Sequence, residues 1–314
     1  MTETAFSSLL TEAPARPRLL LALDCDGTLL DPVGRIRPRV RDALRAATEA
    51  GALVTLATAR RLQAAKGFAE ELGVRTPLVL QDGATVQDPI TGALYHQDPL
   101  PSTLVVQLVE LALAYELHPV VQRITADPTG DVIHVLDGVD VDPSMERYLS
   151  SRTPVVRGDR LALQAVGPAA RFSAMGVESP VRRYYEHIKG RVEELCCNVY
   201  LTTPLAYTDY PYWAALVTNG GCSKASAVAA LAQQHGLTLA DCVAVGDGHN
   251  DIELLEQVRA SGGISVAMGQ AVAEVREAAS YVVGTNEEDG VAEAIERFVF
   301  PRLMQQVSAK RQSS

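Results

Sequence analysis

Four aspartates stand just beyond short apolar runs. Asp24 and Asp26 flank Cys25 in Asp24-Cys25-Asp26-Gly27-Thr28-Leu29, directly after Leu19–Leu23. Asp247 and Asp251 lie in Gly246-Asp247-Gly248-His249-Asn250-Asp251, directly after Cys242–Val245. Carboxylates gathered in this way repel one another unless a cation is present. With waters and a phosphate oxygen they form the usual surroundings of Mg2+. An aspartate can also attack phosphorus, forming an aspartyl-phosphate and splitting the reaction into two steps. Asp26 can stand on the other side of the reacting centre as general acid and then base. Thr58, after the apolar run 52–57, and Lys224 supply a hydroxyl and an ammonium for the equatorial oxygens. Phosphoryl transfer depends mostly on such positioning and charge neutralisation. Peptide N–H groups after Asp24 and Thr58 can complete an anion-binding nest.

Each residue alone has an ordinary explanation. A strand-end aspartate is often a turn former, a threonine there a helix cap, and a lysine at a helix start a solvated side chain. Their recurrence as a set at the strand ends of one alternating core weighs against those explanations. His249 reads as a loop side chain, because the neighbouring carboxylates already suit a hard cation. No glycine follows Gly246-Asp247-Gly248 three residues on, so the segment is not a dinucleotide fingerprint.

The elements that must position these groups alternate. Leu19–Leu23 reads as a strand covered on both faces, 39–50 as a helix stopped by Gly51, and 52–57 as a second strand. Leu62–Leu72 is a helix closed by Gly73, and Pro77–Leu80 a third strand. This order implies an α/β fold with a doubly wound parallel sheet, whose ligands bind beyond the C-terminal strand ends. The pattern then changes. A hairpin over 84–86 and 93–95 precedes a helix over 104–117 with Ser102 as cap. Strands at 120–124, 132–136, 200–203 and 213–217 and a helix starting at Ser179-Pro180 follow. Alternation returns from Lys224, with helices over 225–235, 252–258, 272–278 and 291–300 and strands at 242–245, 264–267 and 281–283. The expected organisation is a core of residues 1–84 and 213–314, interrupted by an inserted α+β module over 85–212. Residues 1–17 and 308–314 are expected to be flexible.

The 314 residues carry 28 basic and 38 acidic side chains, a formal net charge of −10, and 47% are hydrophobic. That composition supplies a real core and argues against a broad nucleic-acid footprint, which needs clustered Lys and Arg. No basic start followed by a long apolar run marks a signal peptide, and no run approaches the ~18 apolar residues of a membrane span. Five cysteines without a CxxC pair read as reduced thiols of a cytoplasmic protein.

These residues resemble the haloacid-dehalogenase-like (HAD) superfamily, and within it the Cof-type subclass IIB of sugar-phosphate phosphatases, from about Leu19 to Phe300. Asp24-Cys25-Asp26-Gly27-Thr28-Leu29 matches the first motif, Asp-x-Asp-Gly-Thr-Leu. Ala57-Thr58-Ala59-Arg60 is similar to the second, with Ala59 where glycine is common. Ser223-Lys224 resembles the third and 246–251 the fourth, while Val266-Ala267-Met268-Gly269 and Asn286–Val291 match the closing stretch. The resemblance implies Asp24 as nucleophile and Mg2+ ligand, and Asp26 as acid/base that also binds metal through its carbonyl. It implies Thr58, the Ala59 backbone, Lys224 and Asn250 as phosphate contacts. Asp247 would ligate Mg2+, and Asp251 would ligate it or orient its waters. The insertion would be a cap that closes over the core and selects the substrate. Three departures accompany the match: Asp82 where asparagine is common, no glutamate in Trp213–Val217, and Ala225 after the motif lysine.

The implied enzyme is a Mg2+-dependent phosphatase of a small phosphorylated metabolite, expected to be a sugar phosphate. It is expected as a cytoplasmic monomer or homodimer with no nucleic-acid or membrane partner. A phosphomutase or phosphotransferase of the phosphomannomutase type shares these aspartates, and a lapsed phosphate-binding protein would keep the fold without turnover. Asp26 argues against carbon–halogen chemistry, whose enzymes lack the second aspartate. Arg123, Arg171 and Tyr207 are polar groups on or beside expected cap strands, assigned to the surface or to satisfied contacts rather than to the site.

Overall fold

A computed structural model describes residues 19–137, 143–150, 152, 154–202 and 212–304. The segments expected to be flexible, 1–17 and 308–314, lie outside the described residues, as does Tyr207. β1 (Leu20–Leu23) is buried throughout, and α1 (Pro38–Glu49) turns Val40, Leu44 and Ala47 inward. β2 (Leu53–Leu56) leads to α2 (Leu62–Leu72), which Gly73 closes at a left-handed φ of 71°. β3 (Leu78–Leu80), β4 (Thr85–Gln87) and β5 (Leu94–Gln97) form a small antiparallel sheet, the last two being the expected hairpin. A bridge between Ala57 and Val79 joins it to the core.

The inserted part runs through α3 (Ser102–Ala114), β6 (His118–Ile124), β7 (Asp131–Leu136), α4 (Pro143–Ser150) and β8 (Val155–Gly158). It continues with α5 (Arg160–Gln164), β9 (Ala169–Gly176), α6 (Glu178–Lys189), α7 (Val192–Leu195), β10 (Cys197–Thr202) and β11 (Trp213–Asn219). Its six strands are ordered β10-β11-β9-β6-β7-β8, antiparallel except for β7 with β8. One face packs Val121, Phe172, Ala174 and Val217 against α3 and α6. Residues of opposite parity, Gln122 and Arg171, reach the catalytic half: Gln81 Nε2 donates to Gln122 Oε1 at 2.7 Å, and Arg171 Nη1 donates to the Ala59 carbonyl at 2.8 Å.

The chain then returns through α8 (Lys224–Gln234), β12 (Cys242–Gly246), α9 (Ile252–Ala260), β13 (Ile264–Ala267), α10 (Ala273–Ala278), β14 (Tyr281–Val282) and α11 (Gly290–Ala294). The main sheet is parallel, in the order β14-β13-β12-β1-β2. Leu20 pairs with both Cys242 and Leu53, and Leu23 with both Val245 and Leu56, so three strands end level. Alternation explains the two covered faces. Leu21, Leu23, Val54 and Val245 join one apolar core, and Leu20, Ala22 and Ala244 another.

Several boundaries differ from expectation. β11 belongs to the inserted sheet, because its register with β9 and β10 places it there and not at residue 213 of the core. β4 and β5 pair with β3, so the core side extends past residue 85 to Gln97. The chain therefore crosses between the halves at 98–101 and 220–223. Ser102 is the first residue of α3, preceded by Pro101, and makes no side-chain cap. Glu178 rather than Ser179 opens α6. The last helical stretch passes through a wider turn at Ile295–Val299.

The junction between halves holds a buried ion pair, Arg61 before α2 and Asp131 at the start of β7, 3.0 Å apart and 5% and 2% exposed. Burial lowers the Arg61 pKa and raises that of Asp131, and each charge offsets part of the other's penalty. Arg61→Leu alone should cost about 3 kcal/mol, because it removes the nearest cation from a buried carboxylate that Arg171 and Arg152 offset only in part. Arg61→Leu with Asp131→Leu should recover most of that loss. Urea unfolding of the two variants measures the difference.

Candidate active site

The level strand ends deliver the site. The Asp24 N–H continues the β1–β12 ladder to the Val245 carbonyl at 3.0 Å, and its carboxylate lies just past the strand. Lys224, first residue of α8, donates through Nζ to Asp24 Oδ1 at 2.6 Å and to Asp251 Oδ1 at 2.7 Å. The helix start is fixed by Ser223, whose Oγ accepts from the Ser226 N–H at 3.1 Å. Gly83 permits this approach, since a Cβ there would come within 2.1 Å of the Ser223 carbonyl oxygen. Asp251 Oδ2 accepts from the peptide N–H groups of Asp247 and Gly248 at 3.1 and 2.9 Å, and Thr28 Oγ1 donates to Asp247 Oδ1 at 2.7 Å. Gly27, at φ +85°, is needed for that packing, because a Cβ would stand 2.2 Å from Asp247 Oδ2.

Oxygens of Asp24, Asp247 and Asp251 lie within 4.8 Å of one another. Burial pushes the Asp24 carboxyl well above its ordinary pKa, with Lys224 opposing and Asp251 and Asp247 adding. Burial alone would lower Lys224, but Asp24 and Asp251 reverse this and raise it, so the ammonium stays charged. Burial raises Asp247 to about 6, the Thr28 hydroxyl opposing and Asp251 adding. Three carboxylates facing one ammonium leave two negative charges uncompensated. All the candidate ligands are hard oxygens, so the cluster fits a divalent cation.

Asp26 sits beside this cluster, held by Arg60 through two bonds, Nε to Oδ2 at 2.7 Å and Nη2 to Oδ1 at 2.6 Å. Thr58 is fully buried, and its Oγ1 accepts from the Arg60 N–H at 3.1 Å. The Ala59 carbonyl is taken by Arg171. Asn250 donates to Asp82 Oδ1 at 2.8 Å, so in this arrangement it contacts Asp82. His249 is exposed, at the first position of a short 3-10 turn over His249–Asp251 rather than in a loop. Arg123 stays in the inserted sheet and donates from Nε to His134 Nε2 at 3.3 Å.

All eight residues singled out in the sequence thus lie at or beside one set of strand ends. Arg60, Thr28 and Arg171 add contacts that sequence reasoning gave no role. Arg60 and Thr28 were within reach as members of the quoted motifs, whereas Arg171 carried no local signal. Gln270 and Asn286 explain the closing stretch: Gln270 Nε2 donates to the Gly27 carbonyl at 2.5 Å, and Asn286 Nδ2 to the Leu30 carbonyl at 2.7 Å. Both brace the loop after Asp24.

A parallel α/β core with acidic strand ends and an inserted sheet above them defines a class of phosphoryl-handling hydrolases. The family model for haloacid dehalogenase-like hydrolases matches residues 21–295, and the chain belongs to that family. It is 27% identical over 281 residues to pyridoxal phosphate phosphatase YbhA of Escherichia coli, covering 88% of this chain and 97% of that one. It is likewise 27% identical over 288 residues to 5-amino-6-(5-phospho-D-ribitylamino)uracil phosphatase YitU of Bacillus subtilis, covering 89% and 97%. A solved haloacid dehalogenase-like hydrolase from Bacteroides thetaiotaomicron superposes with a TM-score of 0.71 at 27% identity, covering 89% and 98%. The Cof-type membership read from the motifs stands, and the enzyme class is that of phosphoric monoester hydrolases.

The raised Asp247 pKa gives a signed prediction. Without metal, this carboxylate is strained when charged, so protonation between pH about 6 and its unfolded value near 4 favours the folded protein. A divalent cation needs the charged form. Millimolar Mg2+ should therefore raise the melting temperature clearly at pH 8 and little at pH 5, as read by differential scanning fluorimetry.

Proposed function

We propose that the protein is a Mg2+-dependent phosphatase acting on a small phosphorylated metabolite, a sugar phosphate foremost, through a phosphorylated Asp24. The observation that carries this is the Asp24 carboxylate, fixed by Lys224 at 2.6 Å beside Asp247 and Asp251 and two residues from Asp26. Asp24, Asp247 and Asp251, with the Asp26 carbonyl, would hold Mg2+, which when bound supplies charge neutralisation for the phosphoryl oxygens. Lys224 occupies Asp24 Oδ1 and leaves Oδ2 to attack phosphorus. The bond from phosphorus to the leaving oxygen breaks, and Asp26 gives that oxygen a proton. Asp26, now a carboxylate, takes a proton from water. That water attacks phosphorus, the Asp24–phosphorus bond breaks, and inorganic phosphate leaves.

Arg60 holds the Asp26 carboxylate through a two-point pair, and one of those bonds gives way where Asp26 carries the proton for the leaving oxygen. Thr58 and the Ala59 N–H would contact the incoming phosphate, with Lys224 adding positive charge, and Asn250 would reach it on leaving Asp82. Contacts from the inserted sheet to Ala59 and Gln81 beside the cluster support a small substrate. The named relatives act on pyridoxal phosphate and on a phosphorylated ribitylaminouracil, both compact phosphate esters. Cytoplasmic residence is supported by the free thiols, four of the five buried.

The test is phosphate release from sugar phosphates, pyridoxal phosphate and nucleotides, with and without Mg2+. Release should require Mg2+, and Asp24→Asn should lower kcat by about 10³-fold or more without loss of fold. Asp26→Asn should lower kcat by about 10²–10⁴-fold on a sugar phosphate and by less on p-nitrophenyl phosphate, whose leaving group needs no proton. Mg2+-independent turnover, or an active Asp24→Asn variant, would contradict the mechanism.

A further inference from the structure

Arg171 belongs to β9 of the inserted sheet, yet its side chain is buried against the catalytic half. Its Nη1 donates to the Ala59 carbonyl at 2.8 Å and stands 4.0 Å from Asp82 Oδ2. That carbonyl belongs to the peptide whose N–H is Arg60's, and the same N–H donates to Thr58 Oγ1 at 3.1 Å. The Arg60 side chain in turn holds both oxygens of Asp26. One arginine from the insertion therefore grips the peptide from which the Thr58 hydroxyl and the Asp26 carboxylate are both oriented.

Asp82 completes the connection. It is 3% exposed, its backbone has a left-handed φ of 59°, and its N–H donates to the Thr58 carbonyl at 3.1 Å. A carboxylate buried this deeply needs positive charge nearby. Asn250 supplies only a neutral donor and Lys224 is shared with Asp24 and Asp251, whereas Arg171 adds a second charge when the sheet is seated.

We propose that Arg171 is a positioning residue that carries closure of the inserted sheet into the phosphate-holding loop. Seated, it fixes the Ala59–Arg60 peptide and offsets Asp82. Lifted away, it frees that peptide and leaves Asp82 only the Lys224 charge that Asp24 and Asp251 already share, so Thr58 and Asp26 are set for reaction only under the closed sheet. This inference rests on the phosphatase reading of the same site. The hydrogen bond from Arg171 goes to a backbone carbonyl and not to Asp24, Asp247 or Asp251. Its loss should therefore appear in kcat more than in KM, as for groups that act by orienting others in the transition state.

The experiment compares wild type, Arg171→Gln, Arg171→Lys, Asp82→Asn and Arg171→Gln/Asp82→Asn in Mg2+, with pyridoxal phosphate, whose leaving oxygen needs a proton, as common probe. Arg171→Gln should lower kcat by roughly 10- to 100-fold while KM moves by less than about threefold. Arg171→Lys should restore part of kcat, because a lysine keeps the charge but loses the planar fork. Asp82→Asn should raise kcat when added to Arg171→Gln, since it removes the stranded carboxylate. A folded Arg171→Gln variant with kcat within about twofold of wild type would overturn the role, as would an effect confined to KM or to melting temperature. Should Arg171→Gln fail to fold, the double variant is compared with Asp82→Asn, and equal kcat values overturn the proposal. Failure of both to fold assigns Arg171 to folding and rejects the positioning role. A wild type that releases no phosphate from any ester removes the phosphatase reading itself, whereas an active wild type with an unimpaired Arg171→Gln removes only this inference.

Discussion

Everything at the site depends on one buried ammonium, Lys224, bound to Asp24 at 2.6 Å and to Asp251 at 2.7 Å. None of the three could be buried alone, because an unpaired charge in the interior neutralises itself or destabilises the fold. Their contact requires β1, β12 and the start of α8 to arrive together, and the level register of β1 with β12 meets that requirement. The same contact sets the chemistry. It leaves the cluster with two negative charges in excess, an imbalance that a divalent cation would offset. Stability is thus conceded where reactivity is needed, while apolar packing on both faces of the sheet holds the frame.

The two halves meet through charges directed both ways. Arg61 of the core enters the inserted part to meet Asp131, and Arg171 of the inserted sheet enters the core to meet Ala59 and Asp82. Side-chain parity makes this arrangement sensitive to register. A one-residue slip of β9 would turn Arg171 onto the helix-packed face with Phe172 and Ala174. Asp24, Lys224 and Asp251 are buried, which strengthens each of their electrostatic contacts.

The catalytic core was legible because its evidence is local. Asp24-Cys25-Asp26-Gly27-Thr28-Leu29 follows an apolar run, and the alternation of strand and helix around it predicts where that run ends. Lys224 was legible only through its order among the other groups, since nothing local separates it from a solvated lysine. The inserted part was less legible. β9, Ala-Ala-Arg-Phe-Ser-Ala-Met-Gly, is rich in small residues with weak strand preference, and it is buried because partners flank it on both sides. The apolar run at Trp213 announced a strand but not which sheet it joins, a matter decided by pairing with Cys197–Thr202 and β9. Arg171 reads as a surface residue or a satisfied contact because arginines commonly lie partly exposed, and its partner, 112 residues away across the junction, is encoded by no local pattern.

The central claim is that the phosphoryl group passes through Asp24. The most direct measurement is acid quenching of the enzyme during turnover of a phosphate ester in Mg2+, followed by peptide mass spectrometry of the segment containing Asp24-Cys25-Asp26. The account predicts one added phosphoryl group, located on Asp24 and absent from Asp24→Asn. Steady release of phosphate with this peptide unmodified at every quench time, or with the phosphoryl group on another side chain, would contradict it.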